Sequence, residues 1–254
     1  MSNVKLRRWL LFVAIFLFWE ATPAQITFVQ GKSFFNGSSQ TSPINVTFDS
    51  NVTAGNLLIA SIYTPHTTDV YNTPTGNSNT FEVGQGACIR SGQANGNGSI
   101  KTWYVKSATA GATTIQFSWT GGASSWTIAW IQEDSGHNAT ASSDVTSCNN
   151  GSGSTSVDSG SAATSENNEL IYGWGDAFDG FTAVGSGFTE RYRANGALAE
   201  DRILATAGST SATATQGGTD GWIFHMVTFK PAAAATGLAK LGGTAKIGGT
   251  AIIK

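Results

Sequence analysis

Two pairs of adjacent acidic residues are the part of the sequence best suited to acid–base chemistry. Glu133-Asp134 and Glu200-Asp201 each follow or lie within an apolar segment. A glycoside hydrolase needs two carboxylates about 5–10 Å apart, flanking the scissile bond. Because neighbours in a strand point to opposite faces, each pair supplies one carboxylate to a groove, and Glu133 with Glu200 is the combination to test. The favoured interpretation is that the acids make structural hydrogen bonds and ion pairs with nearby arginines.

Tryptophan is the second residue type that could make functional contacts. Trp126 and Trp130 fall on one face of an apolar segment with Ile128 between them, and Trp174 lies in another such segment. Exposed indole rings form a platform for stacking sugar rings, whereas buried ones are core residues. The sequence leaves both interpretations open and gives Trp126, Trp130 and Trp174 as candidate glycan-binding residues.

No catalytic or metal-binding motif stands out. His66, His137 and His225 fit no metal-ligand spacing, and the chain has neither a Gly-x-Ser-x-Gly motif nor a phosphate-binding loop. His225 is predicted to be a hydrogen-bonded core residue. Asp176 and Asp179 do not have EF-hand spacing, which favours a turn role for Asp179 over a weak calcium site. We predict no catalytic residue, no metal and no cofactor.

The elements that must position these residues are β-strands. Apolar and polar residues alternate at 44–49 and 114–119, and the segments 57–63, 126–131 and 222–229 are apolar on both faces. Turn residues separate the segments, and no window has a helical period. We predict an all-β fold, a two-sheet antiparallel β-sandwich of the jelly-roll type, over residues 25–230.

The first 24 residues have the order of a signal peptide. Lys5, Arg7 and Arg8 precede an uncharged apolar run, and small residues lie at 22–24. Cleavage leaves 11 basic and 15 acidic residues, a net charge of −4. We therefore predict a secreted or cell-surface protein with no membrane span after cleavage. The acidic balance argues against a nucleic-acid partner.

The two cysteines, Cys88 and Cys148, both lie in the exported part of the chain. An oxidising compartment predicts a disulfide between them. It would close a loop of about 60 residues, worth about 3–4 kcal/mol in the chain-entropy model.

The C-terminus changes in character after residue 230. Residues 231–237 form a Pro/Ala linker, and 238–254 contain consecutive hexapeptides, KLGGTA and KIGGTA, followed by IIK. Leu241, Ile247 and Ile253 recur every six residues, so an extended tail would present them on one face. Such a strand needs another sheet edge to satisfy its backbone groups. The tail is therefore predicted to pair with a partner or its own domain, or else to be disordered.

The order of several short motifs resembles a family of exported bacterial β-sandwich domains found in large surface proteins. The resemblance covers about residues 26–230 and implies a jelly-roll-like sandwich with an extracellular, non-catalytic role. It assigns no functional residue. The motifs are Ala54-Gly55-Asn56-Leu57-Leu58, Gly76-Asn77-Ser78-Asn79-Thr80-Phe81, Trp103-Tyr104-Val105-Lys106 with Ala110-Gly111, Glu133 before Ser135-Gly136, Glu169-Leu170, Gly187-Phe188-Thr189, Glu200-Asp201-Arg202, Ala207-Gly208-Ser209 and the segment from Trp222.

Three functions follow from these observations. The first is a secreted, non-catalytic cell-surface or extracellular-matrix protein acting in adhesion or self-assembly, with a fibre or virion-type structural role as one form. The second is a lectin-like glycan-binding module. The third is a glycoside hydrolase. The predicted partners are accordingly a glycan or a second copy of the chain.

The self-assembly hypothesis is tested by deleting residues 236–254. If the tail adds a strand to a neighbouring sheet, the mature protein should form oligomers that grow with concentration, and the truncated protein should stay monomeric. Light scattering on both proteins measures the difference. A mature protein that is monomeric at high concentration, or a truncation without effect, contradicts assembly through the tail.

Overall fold

Alternating and doubly apolar segments produce antiparallel strands along the whole described chain. The computed structural model describes residues 25–93, 95–121 and 124–234, and within them all regular structure is β. These residues include no helix long and apolar enough to cross a membrane. The predicted signal peptide, residues 235–237 of the linker and the tail with Leu241, Ile247 and Ile253 lie outside the described residues.

Nine strands form the N-terminal half. They are β1 (Thr27–Gln40), β2 (Ile44–Thr47), β3 (Leu57–Thr64), β4 (Val70–Tyr71), β5 (Glu82–Arg90), β6 (Gly98–Val105), β7 (Thr114–Phe117), β8 (Trp119–Thr120) and β9 (Ser124–Ser135).

Ten strands form the C-terminal half. They are β10 (Ser143–Gly151), β11 (Ser156–Asp158), β12 (Ala162–Ala163), β13 (Glu169–Ala177), β14 (Phe181–Val184), β15 (Thr189–Ala194), β16 (Ala197–Leu204), β17 (Ser209–Thr210), β18 (Thr213–Gln216) and β19 (Trp222–Phe229).

Each half contributes one five-stranded sheet, and the two sheets have the same topology. The N-terminal sheet has the order β1-β9-β3-β6-β5, and the C-terminal sheet has the order β10-β19-β13-β16-β15. In both, the first strand of the half is an edge beside the last strand, and a hairpin forms the other edge. The two halves of the chain are therefore two copies of one structural repeat.

A short sequence recurs at the same place in both halves. Ala108-Thr109-Ala110-Gly111 follows β6, and Ala205-Thr206-Ala207-Gly208 follows β16. Both glycines have positive φ, 110° and 155°, a conformation that glycine adopts at least cost. The four-residue match is present in the sequence, and the common topology shows that it marks the same position in both halves.

The two large sheets pack face to face, and short strands cover their outer faces. Inner-layer residues come from both halves, as with Leu57, Ile100, Tyr172 and Ile223. The outer face of the N-terminal sheet packs against the β2-β7 and β4-β8 pairs, and that of the C-terminal sheet against β11-β18-β14 and β12-β17. The predicted all-β, antiparallel sandwich is confirmed, with an additional outer layer on each side.

A buried polar network crosses the inner layer. The Ser61 hydroxyl is 2.8 Å from the hydroxyl of Tyr172 and 2.6 Å from that of Thr102, which lies 2.7 Å from Nε2 of His225. These bonds join the two sheets in their centre. The predicted core role of His225 is confirmed.

One side of the sandwich is held covalently. The predicted disulfide joins Cys88 on β5 to Cys148 on β10, with the Cα atoms 6.3 Å apart. These strands are the adjacent edges of the two sheets, so the bond ties the halves together. The Ser/Gly-rich segment 149–165 continues the edge strand β10 and contains β11 and β12. Pairing of β10 with β19 and of β11 with β18 satisfies its backbone groups.

Replacing both Cys88 and Cys148 by Ala should lower the free energy of unfolding by about 3–4 kcal/mol, because the unfolded chain gains the entropy of an open 60-residue loop. Urea denaturation of oxidised, reduced and double-variant protein measures this. The reduced wild type should match the variant. Equal stability of oxidised and reduced protein would contradict an important role for the cross-link.

Candidate functional site

A cavity of about 560 Å³ opens at one end of the sandwich, where strands of both halves end. We call it the tryptophan cleft. The side away from the disulfide, where β1 and β9 meet β15 and β16, is called the seam, and the cleft extends from one end of the seam, at Trp126 and Asn195, to Arg90 on β5. The cleft is lined by Tyr63, Pro65, Arg90, Gly96, Asn97, Trp126, Asp176, Ala177, Phe178, Asn195 and Gly196.

Trp126 reaches the cleft because of a β-bulge. Between paired positions of β1 and β9, Gly37 and Ser38 lie opposite Trp126 alone, and Trp126 has a φ of 64°. Positive φ is rare for a bulky side chain and costs about 1–3 kcal/mol. The distortion turns the indole out of the sheet, leaving the residue 43% exposed.

Contacts from both halves fix the orientation of the Trp126 ring. Its Nε1 donates a 2.9 Å hydrogen bond to the carbonyl oxygen of Asn195, in the β15–β16 turn. The Phe35 ring from β1 packs edge-on against it, with centroids 5.0 Å apart. The exposed ring is therefore held in place before any ligand arrives.

Phe178 provides a second aromatic surface. The residue is 57% exposed and follows β13 directly. Gly96 lies beneath it with a φ of 77°, and a Cβ at this position would be 3.1 Å from the Phe178 ring and 2.9 Å from Nη2 of Arg90. Only glycine allows this close approach without displacing neighbouring atoms.

The inner end of the cleft holds a buried ion pair between the halves. Arg90 on β5 is 3.0 Å from the Asp176 carboxylate, and both side chains are almost fully buried. Arg90 also donates to the carbonyl oxygen of Gly221 at 2.8 Å and to the Tyr63 hydroxyl at 3.2 Å. Burial raises the pKa of Asp176 to about 6, although the Arg90 charge opposes the shift. Breaking such a pair leaves a buried charge unpaired, which is strongly destabilising.

The structure narrows the three predicted glycan-binding tryptophans to Trp126. Trp174 is fully buried in the inner layer, and Trp130 is 4% exposed. The Trp130 ring stacks on Tyr192 and occupies the space where Gly31 lacks a side chain. Trp126 and Trp130 do not form a row because the bulge removes Trp126 from the strand's regular alternation.

Glu133 and Glu200 cannot act as a catalytic pair on one bond. Both are fully buried, and each alternates with a neighbour that faces the inner layer. Glu133 accepts hydrogen bonds from the Thr53 backbone at 2.9 Å and from Asn56 at 2.7 Å, and Glu200 from the Gly185 backbone at 2.9 Å. They therefore lie on opposite outer faces of two sheets about 10 Å apart. The structure therefore does not bring Glu133 and Glu200 together in one groove, and the hydrolase hypothesis stays a prediction without this carboxylate pair.

Their neighbours form a cluster inside the seam. Nε2 of Gln132 donates to Asp134 at 3.0 Å and to Asp201 at 2.9 Å, and Arg191 donates to Asp201 at 2.8 Å. Burial and the nearby Asp201 raise the pKa of Asp134 well above its ordinary value. The predicted pairing of an acid with a nearby arginine is thereby confirmed for Asp201.

The other ionisable residues have structural partners. Asp179 accepts a 2.9 Å hydrogen bond from the backbone of Asp220, as expected of a turn residue, while Asp176 pairs with Arg90. The described residues contain no group of three or more His, Cys, Asp or Glu arranged to hold a metal ion.

The protein is a β-sandwich built from two structural repeats, with a cleft at its surface lined by aromatic side chains. No family model, curated protein or solved structure matches the chain. The resemblance to exported bacterial surface domains stays a prediction. Sequence reasoning missed Arg90, Phe178 and Asn195, which are distant in the chain and carry no common motif.

Stability should fall as pH rises from 7 to 9, because burial raises the pKa of Glu200 from 4.5 to about 8. The folded state holds the proton more tightly, so this stabilisation is complete below 4.5 and is lost as the pH rises through 8. Glu200→Gln mimics the protonated form and should flatten the decline. The pKa of His225, lowered by burial to about 3, affects stability only at more acidic pH.

Urea midpoints at pH 7, 8 and 9 measure this effect. Glu190→Gln, which changes a part-exposed carboxylate bonded to Arg193, is the control and should keep the wild-type slope. A Glu200→Gln protein with that same slope would contradict the role of Glu200.

Proposed function

We propose that the protein is a secreted, non-catalytic module that binds a neutral glycan in the tryptophan cleft. The observation that carries the proposal is the exposed Trp126 ring, held at the cleft in a strained backbone conformation. Strain of this kind persists where the surrounding structure enforces it, and it clusters at functional sites. Adhesion to a surface polysaccharide is the role that this binding would serve.

The aromatic surfaces suit the apolar face of a sugar ring. Trp126 and Phe178 both line the cleft and both are substantially exposed. Large rigid rings provide contact area at little entropic cost. Asn97 and Asn195 line the same space, and their amide and backbone groups can bond to sugar hydroxyls. A few polar groups within an apolar cleft are typical of a ligand site.

The charge balance favours a neutral ligand. Arg90 and Asp176 are the only ionisable pair among the described lining residues that could carry full charges at neutral pH, and they neutralise each other at 3.0 Å. Nη1 and Nη2 of Arg90 donate to protein oxygens, and Nε, which has no acceptor, is buried away from solvent. An acidic sugar would find no free cation here, and a basic one no free carboxylate.

Self-assembly is a second candidate, favoured by a different observation. β1 is a 14-residue edge strand, and among the described residues no strand pairs with its outer side. A long open edge is a template for an added strand. The hexapeptide tail of a second copy is the partner that the sequence offers, through Leu241, Ile247 and Ile253.

Glycan binding is tested with Trp126→Gly. Glycine adopts positive φ readily, so the variant removes the ring while keeping the backbone conformation. Loss of an aromatic anchor should weaken binding on the order of 30-fold. A neutral-oligosaccharide array followed by calorimetry on the best ligand measures this.

Val70→Ala is the matched control, because Val70 is 63% exposed and does not line the cleft. Its affinity should equal that of wild type, and Trp126→Phe should retain part of the binding. If the wild-type protein binds no glycan, or if Trp126→Gly binds as tightly as wild type, the proposal is wrong.

A further inference from the structure

A second cavity, of about 520 Å³, lies at the other end of the seam. Its walls include Phe28 at the start of β1, Leu170 at the start of β13 and Ile203 near the end of β16. Asp176 of the tryptophan cleft is six residues further along β13 than Leu170, so the two sites are about 20 Å apart. The chemistry of this second cavity differs from that of the cleft.

Arg191 lines the second cavity, and only one of its guanidinium nitrogens donates a hydrogen bond to the protein. Its Nε donates to Asp201 at 2.8 Å, and its guanidinium lies over the Phe28 ring at 4.2 Å from the centroid. The two terminal nitrogens have no acceptor among the described residues. The aromatic ring and the carboxylate therefore fix the orientation of the group and leave its two-nitrogen end free.

Arg202 lines the same cavity and, like Arg191, packs on an aromatic ring while some of its donors have no acceptor. Its guanidinium lies over the Phe188 ring at 4.6 Å, and Nη2 donates to the Thr210 hydroxyl at 2.7 Å. Nε is buried without an acceptor. Nη1 of Arg202 lies near Gly187, which has a φ of 79°. A Cβ added at Gly187 would still be 3.8 Å from this nitrogen, so the approach to Nη1 is open.

The charges around this cavity leave an excess of positive charge. Arg191, Arg202 and Asp201 are the charged side chains among its lining residues. Asp201 is already the acceptor for both Gln132 and Arg191. The cavity lining thus contains one carboxylate and two guanidinium groups, and both guanidinium groups stack on aromatic rings and keep unused donors. Arg202 and Asp201 are neighbours on β16 and point to opposite faces, so the Arg202 charge acts on Glu200 rather than pairing with Asp201.

We propose that this cavity is a binding site for an oxyanion, the carboxylate or sulfate group of an acidic ligand. Guanidinium groups present planar, paired donors that match such oxygens, and charge-assisted hydrogen bonds are among the strongest. Stacking on Phe28 and Phe188 reduces the entropy lost when the anion binds. The site is independent of the tryptophan cleft, so either can fail without the other.

Calorimetry with sodium sulfate and with sodium glucuronate, at constant ionic strength in chloride, tests the proposal. Sulfate represents a free or esterified sulfate group, and glucuronate represents a sugar carboxylate. Wild-type protein should bind at least one of them. Arg202→Gln and Arg191→Lys should each weaken binding on the order of tenfold, the effect of losing one charged hydrogen-bond donor. Arg191→Lys keeps the charge beside Asp201, which protects the fold.

Arg193→Gln is the matched control, because Arg193 lies on the same strand as Arg191, bonds to Glu190, and does not line this cavity. It removes one positive charge and should leave affinity unchanged. Thermal shifts caused by each anion, relative to chloride, provide a second measurement for variants of lower stability. Sulfate stabilises many proteins nonspecifically, so equal shifts in all four proteins, or no binding of either anion by wild type, would overturn the proposal.

Discussion

Coverage of both large sheets on both faces is the constraint that determines where this molecule can make contacts. One face of each large sheet packs into the inner layer, and the short outer strands cover the other face. Every residue of β3, β13 and β19 is consequently buried. A polar side chain on these strands must find an internal partner, as Tyr172 and His225 do, since an unpaired buried polar group costs about 1–3 kcal/mol. Contacts with other molecules are left to the sheet edges and to the ends of the strands.

Different interactions hold the sheet edges together on the two long sides of the sandwich. The Cys88–Cys148 bond joins β5 to β10 on one side. The seam has no such bond and is closed by side chains: the Trp130 and Tyr192 rings stack with centroids 5.6 Å apart in its middle, and the carboxyl cluster around Gln132 lies beside them. The arginine-lined cavity lies at one end of the seam. The aromatic cleft extends from the other end, at Trp126 and Asn195, across the sandwich to Arg90 on the disulfide-bonded strand β5.

Local patterns predicted the strands and the disulfide because each depends on nearby residues or on compartment. Alternation with a period of two identifies half-buried strands, and a single pair of cysteines allows only one bond. The site was less predictable. Its members come from β3, β5, β9, β13 and the β15–β16 turn, and their proximity depends on strand order, which the sequence does not state. Glu133 and Glu200 illustrate the same difficulty: their spacing permitted a shared groove until the sheet topology placed them on opposite outer faces.

The internal repeat explains why Trp126 differs from an ordinary core tryptophan. The same pattern, Gly-Gly-x-x-x-Trp, leads into the last strand of each half and ends at Trp126 in one half and at Trp222 in the other. After Trp222 the inner-facing residues begin one position later, at Ile223, whereas after Trp126 they begin two positions later, at Ile128. Trp126 has a φ of 64° and lies opposite two residues of β1, so the regular alternation of β9 is interrupted at this residue, where the difference in phase occurs. Trp222 keeps its place in an outer layer and is 6% exposed, whereas Trp126 is turned toward solvent. A single irregularity in one copy of a repeated strand thus converts a core position into the exposed ring on which the proposed binding depends.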